Sequence, residues 1–294
     1  MMVKERVIVS LTTYSKRIGN IPVVLDTIFA QTVPPDLIVL NLAYDEVIPN
    51  HVIKYIESHA IEVNRVPDTK VYKKLIPTLK KYPQDSIISI DDDFLYPNNM
   101  IEDFLYIHNL YPNNPISGND VVQYGMQCHC GCASLMKYSY LGNEIDHIDD
   151  EVMKHCPSDD LVYTYFSNRN NHPYIRTEKL YYNNMQSYLE GDSYSKDVGG
   201  GTGITDTYDY LMKRFGQLDQ NLILQYIPNA DSYIVSVIDH VYRKGHGTQM
   251  FFMGYEQGVK EMQSSFPFRT GNLLLFPLKW LMSIFNRCFG KNEQ

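Results

Sequence analysis

The sequence predicts an α/β fold with a mostly parallel sheet and helices on both of its faces. Three observations support this prediction. Short apolar segments alternate with segments of helical length through the first hundred residues. The apolar segments contain few polar residues, as do the strands of parallel sheets that are buried on both faces. The length of 294 residues suits one large α/β domain with a smaller appendage.

The first hundred residues are predicted to alternate between strands and helices. We expect four strands, at 7–11, 37–42, 61–66 and 86–90. We expect three helices between them, at 21–31, 49–58 and 71–81. Pro22 lies in the first turn of the first helix, where proline is favoured. This alternation is typical of a nucleotide-binding half-domain, in which ligands bind beyond the carboxyl ends of the strands.

The pattern is less regular after residue 98. The expected helices are at 100–110, 159–168 and 206–215, and the expected strands are at 119–127, 133–138 and 233–238. The glycine-rich residues 199–203 lack the Lys-Ser/Thr of a phosphate loop, so we expect a hinge or a substrate-side loop. We predict a catalytic domain at 1–250, with halves at 1–100 and 101–250, and an amphipathic helical tail at 251–294.

Charge and composition narrow the class of protein. The 26 basic and 34 acidic residues give a formal net charge of −8, which argues against a general nucleic-acid binder. Hydrophobic residues make up 44% and charged residues 20%, which is typical of a globular rather than a disordered chain. The 24 tyrosines, against 12 phenylalanines, suit a carbohydrate- or nucleotide-binding surface. An AT-rich genome explains the tyrosine count equally well.

The cysteines and the first residues indicate a reducing compartment. Three of the five cysteines lie at 128, 130 and 132, without the second pair that a structural zinc site needs, so we expect buried thiols there. Residues 1–6 run directly into the first strand and contain no apolar core of signal-peptide length. We therefore expect a cytoplasmic location.

The C-terminal residues differ from the rest of the chain in charge. Residues 265–294 contain four basic residues, one acidic residue and the only tryptophan, Trp280. The apolar run 273–285 is interrupted by Pro277 and Lys279 and is too short for a membrane span. Such a composition is typical of a helix in a membrane interface, so we expect peripheral contact with the inner face of the cell membrane. A last helix docked on the core is the alternative.

Three consecutive carboxylates, Asp91, Asp92 and Asp93, directly follow the predicted strand 86–90. Adjacent carboxylates repel one another, and their oxygens suit hard cations such as Mg²⁺ or Mn²⁺. In an extended chain Asp91 and Asp93 point to one side and Asp92 points to the other. We therefore predict a metal that is held by Asp93 with help from Asp91. The alternative is a solvated acidic turn that caps the next helix.

Asp159 and Asp160 form a second acidic pair, at the start of the predicted helix 159–168. The dipole at a helix N-terminus favours an ionised carboxylate, which can accept a proton from a hydroxyl group. We predict a general base here, and a helix cap is the alternative. His240 and His246 follow the last predicted strand and are candidate metal ligands, although a lone histidine is more often structural.

Three stretches together resemble a bacterial glycosyltransferase family of the GT-A fold, similar to glycosyltransferase family 2. They are VSLTTYSKRI at 9–18, YKKLIPTLKKYP at 72–83 with the carboxylates at 91–93, and SDDL at 158–161. The resemblance implies a nucleotide-sugar donor, Mn²⁺ or Mg²⁺ at an Asp-x-Asp motif, and a saccharide or lipid-linked acceptor in surface polysaccharide (capsule) synthesis. The family's base motif is more often Glu-Asp, and its late metal-binding histidine matches His240 and His246 equally.

The resemblance gives a hypothesis for the mechanism. The metal binds the diphosphate of a donor that we expect to be UDP-linked, and Asp92 contributes to donor binding. Thr12 and Tyr14 contact the nucleotide, and Arg17 reaches its phosphate. Asp160 deprotonates the acceptor hydroxyl, whose attack on the anomeric carbon inverts its configuration.

Two other functions stay open. A sugar-phosphate nucleotidyltransferase usually carries a glycine-rich, basic phosphate loop after the first strand, whereas residues 12–19 contain a single glycine. A non-catalytic, membrane-attached carbohydrate-binding partner is compatible with the tail, but the acidic motifs argue against it.

Overall fold

The computed structural model describes residues 5–118, 121–123, 126–128, 132–157, 159–176 and 203–218. All of these residues belong to one compact unit, Met1–Asn229. Several predictions lie outside them and stay predictions: the glycine-rich residues 199–202, the strand 233–238, His240, His246 and the tail 251–294.

The described strands form one large sheet and a separate hairpin. In chain order they are β1 (Val7–Thr12), β2 (Leu37–Ala43), β3 (Glu62–Val66), β4 (Ser86–Ile90), β5 (Ile116–Ser117), β6 (Val121–Gln123), β7 (Met126–Cys128), β8 (Ala133–Met136) and β9 (Ile175–Arg176). The large sheet has the order β3-β2-β1-β4-β8-β5-β9, and β6 pairs with β7. Within the large sheet β8 runs antiparallel to its two neighbours, and the other pairs are parallel. The predicted mostly parallel α/β sheet is confirmed.

The helices alternate with the strands in the first half of the chain and cluster in the second. In chain order they are α1 (Ile21–Phe29), α2 (Asn50–Ser58), α3 (Ile76–Lys81), α4 (Met100–Leu110), α5 (Tyr138–Leu141), α6 (Asp150–His155), α7 (Asp159–Arg169) and α8 (Gly203–Phe215). Short 3₁₀ helices occupy Ile18–Asn20, Lys70–Lys74 and Gly142–His147. Within the described parts of the chain, no helix combines the length and the apolar character that crossing a membrane requires.

Residues 70–81 differ from the single helix that was predicted at 71–81. A 3₁₀ helix ends at Lys74, and α3 begins at Ile76. Pro77 explains the interruption, because proline inside a helix removes a hydrogen bond and clashes with the carbonyl four residues earlier, here that of Lys73. Lys73 and Lys74 are both buried, which is an unusual position for two neighbouring lysines.

Residues 119–138 also differ from the prediction. Two short antiparallel strands, β6 and β7, replace the single strand predicted at 119–127. The strand predicted at 133–138 ends at Met136, and α5 begins at Tyr138.

The central strand β4 sets the position of the acidic motif. All five of its residues are buried, so both faces of the sheet are covered at this strand. β1 and β4 are parallel neighbours, although β2 and β3 lie between them in the chain. The direction in which strands are added therefore reverses between β1 and β4. In open α/β sheets, ligands bind beyond the carboxyl ends of the strands at such a switch point.

Candidate active site

The carboxyl ends of β1 and β4 bring together two loops that the sequence analysis selected. Residues 13–17 follow β1, and residues 91–93 follow β4. The two loops are in direct contact, because the Thr13 hydroxyl donates a hydrogen bond of 2.6 Å to Asp92 Oδ2. The candidate site therefore lies at the switch point of the sheet.

Arg17 binds the acidic turn from the loop that follows β1. Its Nη1 donates to Asp92 Oδ1 at 2.8 Å and lies 3.1 Å from Asp93 Oδ2. Its guanidinium carbon lies 5.5 Å from the centre of the Tyr14 ring. Burial opposes the charge of Arg17, but Asp92 and Asp93 outweigh burial and raise its pKa. Arg17 thus holds the acidic turn in this structure, and its contact with a phosphate stays a prediction.

The acidic motif forms a turn, so the extended geometry in which Asp91 and Asp93 point to one side does not occur. The chain turns at residues 92 and 93, so the side chains of the motif do not alternate between two sides. Asp92 and Asp93 both contact Arg17, whereas Asp91 contacts Lys74. The motif therefore has two cationic partners on two different segments, the loop after β1 and the 3₁₀ helix Lys70–Lys74.

A buried tyrosine fixes the backbone at the start of this turn. The backbone N–H of Asp91 donates to the Tyr96 hydroxyl at 2.9 Å and to the Cys132 carbonyl at 3.3 Å. The Tyr96 hydroxyl in turn donates to the same Cys132 carbonyl. Only 5% of Tyr96 is exposed, so this tyrosine supports the motif from within the core.

Lys74 links the acidic turn to the start of α7. Its Nζ lies 3.1 Å from Asp91 Oδ1 and 3.3 Å from Asp159 Oδ2. Burial opposes the charge of Lys74, but the carboxylates of Asp159, Asp91 and Asp160 raise its pKa well above the ordinary value. Lys74 is therefore an ammonium at neutral pH, and it joins the two predicted acidic motifs into one cluster.

This cluster holds more carboxylates than cationic side chains. The three carboxylates after β4 and the two at the start of α7 share Lys74 and Arg17. Burial, reinforced by Asp93 and opposed by Lys74, raises the pKa of Asp91 to about 7. Burial also raises the pKa of Asp93 against the effect of Arg17, and that of Asp159 against the effect of Lys74. The carboxylates therefore lack sufficient positive charge from the described side chains.

The oxygen atoms and the charge of the cluster fit a hard divalent cation. The side chains of Asp91 and Asp93 are 28% and 13% exposed, so a ligand can approach both. Among the described residues, no three His, Cys, Asp or Glu side chains are arranged to enclose a metal ion. Mg²⁺ sites commonly use one or two carboxylates and complete their coordination with substrate phosphates and water. Asp91 and Asp93 are therefore the candidates for holding a cation that is shared with a phosphate-bearing ligand.

The two acidic residues at the start of α7 have different surroundings. Asp159 is 4% exposed and lies against Lys74, so its charge is used inside the cluster. Asp160 is half-buried in the same first turn, where the helix dipole favours the ionised form of a carboxylate. A general base must reach the hydroxyl group of a bound substrate. Asp160 is therefore the better placed of the two for that role.

The two residues predicted to contact a nucleotide, Thr12 and Tyr14, differ in their hydrogen bonds. The Thr12 hydroxyl donates to the Asn41 carbonyl at 2.7 Å, so its proton is used within the sheet. The Tyr14 hydroxyl is buried and has no hydrogen-bond partner among the residues that the structure describes. A buried hydroxyl without a partner is destabilising, and a polar group of a ligand can satisfy it. Tyr14 is therefore the stronger candidate for a ligand contact.

A buried polar network beneath the site was missed by the sequence analysis. Ser10 Oγ donates to the Lys74 carbonyl at 2.5 Å. Asn41 Nδ2 donates to Ser10 Oγ at 3.1 Å and to Thr78 Oγ1 at 2.9 Å. This network attaches the 3₁₀ helix that carries Lys74 to β1 and β2. Its indication in the sequence is indirect. Five predicted carboxylates at one edge of the sheet require cationic partners, and the network holds the segment that supplies one of them, Lys74.

Comparison with solved structures identifies the fold at low sequence identity. A mannosyltransferase from Pyrobaculum calidifontis, solved in complex with GDP-Man and Mn²⁺, superposes with a TM-score of 0.57 at 13% identity, and the match covers 99% of this chain and 89% of that one. A 4-diphosphocytidyl-2C-methyl-D-erythritol synthase has a TM-score of 0.41 at 11% identity over 66% of this chain and 99% of its own. S. aureus TarS 1–349 has a TM-score of 0.43 at 11% identity over 74% of this chain and 67% of its own.

The two lower scores are too weak to bear on function. The chain matches no protein-family model and no curated protein. The likeness to the mannosyltransferase, together with the strand order and the switch point, shows that this chain has the GT-A fold.

Proposed function

We propose that the protein is a metal-dependent glycosyltransferase that moves a sugar from a nucleotide sugar to a saccharide or lipid-linked acceptor. The observation that carries the proposal is the cluster of five carboxylates around two cations at the switch point of a GT-A fold. Such an excess of buried and half-buried carboxylates is typical of a functional site rather than of a structural ion pair. The GDP-Man and Mn²⁺ bound by the similar mannosyltransferase belong to the proposed classes of donor and cofactor.

The described residues have separate roles in the proposed reaction. Asp91 and Asp93 hold Mn²⁺ or Mg²⁺, which supplies positive charge to the leaving diphosphate. Tyr14 offers its hydroxyl to the nucleotide, and Arg17 maintains the shape of the acidic turn. Asp160 accepts the proton of the acceptor hydroxyl while that oxygen bonds to the anomeric carbon and the nucleoside diphosphate leaves. A single displacement of this kind inverts the anomeric configuration.

A thermal-shift screen tests the donor class. The full-length protein is heated with UDP-, GDP- and dTDP-sugars, each with and without Mn²⁺, and UDP-sugars are the first expectation. A true donor raises Tm in the presence of Mn²⁺, because a ligand that binds only the folded state stabilises it by about 2.7 kcal/mol at a hundred times its Kd. A Tm that no nucleotide sugar changes, with or without Mn²⁺, contradicts the proposal.

The released product separates the proposed reaction from its nearest alternative. Nucleoside diphosphate is the leaving group of a glycosyltransferase that uses a nucleoside diphosphate sugar. Pyrophosphate is the leaving group of a sugar-phosphate nucleotidyltransferase. Incubating the donor found in the screen with Mn²⁺ and protein, with water as the acceptor, is expected to release nucleoside diphosphate slowly. Pyrophosphate release from a nucleoside triphosphate and a sugar phosphate would favour the alternative.

We also propose that residues 251–294 attach the protein to the inner face of the cell membrane, where a lipid-linked acceptor of surface polysaccharide synthesis is found. Trp280 and the excess of basic residues in 265–294 support this part of the proposal. In a liposome flotation assay the full-length chain is expected to float with anionic vesicles, and a chain without residues 265–294 is not. Equal flotation of the two chains contradicts membrane attachment.

A further inference from the structure

Two neighbouring lysines of the 3₁₀ helix Lys70–Lys74 are equally buried but have different partners. Their side chains are 5% exposed at Lys73 and 6% exposed at Lys74. Lys73 pairs with Asp68, which lies just before the 3₁₀ helix. Lys74 instead reaches two carboxylates on other elements, those of Asp91 and Asp159. The pair allows a comparison between a lysine of purely local structure and a lysine of the candidate site.

The 3₁₀ helix is hydrogen-bonded both to β1 and to the segment that precedes α7. On one side, Ser10 in β1 donates a hydrogen bond of 2.5 Å to the Lys74 carbonyl. On the other side, the Tyr72 hydroxyl donates at 2.6 Å to the carbonyl of Cys156, three residues before Asp159. Both hydroxyl groups belong to buried residues. These two hydrogen bonds hold the 3₁₀ helix against β1 and against the segment before α7, and the Lys74 ammonium lies between Asp91 and Asp159.

We propose that Lys74 is a positioning residue for the glycosyl transfer proposed above. Its ammonium holds Asp159, and with it the first turn of α7 that carries Asp160, at a fixed place beside the metal-binding Asp91. The inference rests on the proposed function for the roles of Asp91 and Asp160. The contacts of Lys74 themselves are independent of that function.

The same contacts make Lys74 a competitor of the metal. An ammonium that lies 3.1 Å from Asp91 Oδ1 repels a divalent cation that binds the same carboxylate. An uncharged residue at position 74 therefore has two opposite effects. The metal affinity rises, because the positive charge that repels the metal ion is removed. At the same time Asp159, at the start of α7, loses its cationic partner. Loss of a lysine with a merely structural role does not raise the metal affinity.

The first measurement is the Mn²⁺ affinity of the full-length protein without a donor, from the electron paramagnetic resonance signal of free Mn²⁺. At a pH at which Asp91 is ionised in both proteins, Lys74→Met is expected to bind Mn²⁺ roughly tenfold more tightly than the unchanged protein, because one nearby positive charge is removed. Lys73→Met is the matched control and is expected to retain the original affinity. An unchanged or weaker affinity in Lys74→Met overturns the competition between Lys74 and the metal.

The second measurement follows amide hydrogen exchange in the metal-free protein by mass spectrometry. In Lys74→Met the peptides that cover residues 159–166 are expected to exchange faster, because the start of α7 has lost its anchor. In Lys73→Met they are expected to exchange at the original rate. Lys74→Arg keeps the charge and is expected to restore part of the protection. Equal exchange in the two Met variants overturns the positioning role.

The outcomes separate a failure of this inference from a failure of the proposed function. If the unchanged protein binds neither Mn²⁺ nor a nucleotide sugar, the proposed function is wrong, and hydrogen exchange alone decides whether Lys74 positions α7. If it binds both, and the two Met variants agree in both measurements, only the role of Lys74 is wrong. Should Lys74→Met fail to fold, Lys74→Gln, which keeps a polar head group without the charge, replaces it in both measurements.

Discussion

The strands β1 and β4 carry ion pairs at both of their ends, and the two ends differ in charge balance. At the amino ends, Arg6 donates from Nε and Nη2 to Asp85 Oδ2 at 3.2 and 2.7 Å, and from its backbone N–H to Asp85 Oδ1 at 3.1 Å. There, one cation is paired with one carboxylate through three hydrogen bonds. At the carboxyl ends, Lys74 and Arg17 are shared among five carboxylates.

The pKa values of Asp85 and Asp91 reflect this difference in charge balance. Burial acts to raise the pKa of Asp85, but its hydrogen bonds with Arg6 outweigh burial and lower it. Burial prevails at Asp91 and raises its pKa to about 7. A balanced pair stabilises the fold, whereas an unbalanced cluster reduces stability in the absence of a ligand. The same two strands thus end in a balanced ion pair on one side and in a carboxylate-rich cluster on the other, and such a cluster is a candidate functional site.

Turnover is expected to show the largest difference between the two ends. Asp93→Ala should lower Mn²⁺-dependent release of nucleoside diphosphate by roughly 10³-fold, because a metal ligand that stabilises the leaving group is lost. Asp85→Asn, at the other end of β4, should leave the rate unchanged at a temperature where the variant is folded. The measurement is the initial rate with the donor found in the thermal-shift screen. Similar losses in both variants would mean that stability, rather than metal binding, controls the rate.

Substitution of the proposed general base, Asp160, is expected to have the next largest effect on the rate. Asp160→Asn should lower the rate of nucleoside diphosphate release by roughly 10²-fold or more, because the acceptor oxygen keeps its proton. The increase of Tm by Mn²⁺ and the donor should persist, since Asp160 is not placed at the diphosphate. Rates and thermal shifts on one preparation check both statements. Near-normal release by Asp160→Asn would rule out this residue as the base.

The ion pair at the amino ends of β1 and β4 is expected to contribute to the stability of the fold. Asp85→Asn is expected to lower the free energy of unfolding by about 1–2 kcal/mol, because a charge-assisted set of hydrogen bonds is weakened. Asp93→Ala is expected to lower it less in metal-free buffer, because that substitution also removes repulsion from Asp92. Urea denaturation of the metal-free proteins measures both changes. A greater loss in Asp93→Ala would show that the carboxyl ends are not short of positive charge.

The last expected effect is a difference in pH dependence. Between the ordinary pKa of 3.8 and the raised pKa of about 7, the folded state keeps a proton on Asp91 that the unfolded state has released. The contribution of Asp91 to the free energy of unfolding therefore falls as the pH rises through this window. Asp91→Asn should lose less stability than the unchanged protein between pH 5 and pH 8, without metal, in urea denaturation.

Asp85 supplies the control of opposite sign for this pH dependence. Its pKa is lowered in the folded state, so its stabilising contribution is present above pH 3.8 and is lost as the pH falls below that value. Asp85→Asn should therefore leave the slope between pH 5 and pH 8 unchanged. A steeper slope in Asp91→Asn than in Asp85→Asn would contradict the raised pKa of Asp91.

The sequence was sufficient for the sheet and for the place of the acidic motifs. Apolar strands such as β4 are visible as short runs of Ile and Ser between polar loops, and carboxylates that follow a strand must lie at its carboxyl end. The predicted strand positions of the first hundred residues and the helix at 159–168 are confirmed, the latter as Asp159–Arg169. These features depend on local pattern and on the direction of the chain.

The partners within the site could not be predicted, because they depend on contacts between distant segments. Arg17 was expected at a phosphate but contacts Asp92 and Asp93. Lys74 lies in a segment that was predicted as one continuous helix, and Pro77 divides that segment. A sequence pattern does not show which carboxylate a lysine reaches once the helix is broken. The roles predicted for the site residues stay predictions, to be tested by the variants above.

The buried network of Ser10, Asn41 and Thr78 has a consequence for how the chain finds its strand alignment. β1 and β2 are rich in Val, Ile and Leu, so a pairing of these two strands slipped by two residues would bury nearly as much apolar surface. The slipped sheet would, however, leave the Ser10 hydroxyl and the Asn41 amide inside the core without their partners. The network therefore selects one alignment during folding. The same hydrogen bonds hold the segment that carries Lys74 against β1 and β2, at the edge of the sheet where the candidate site lies.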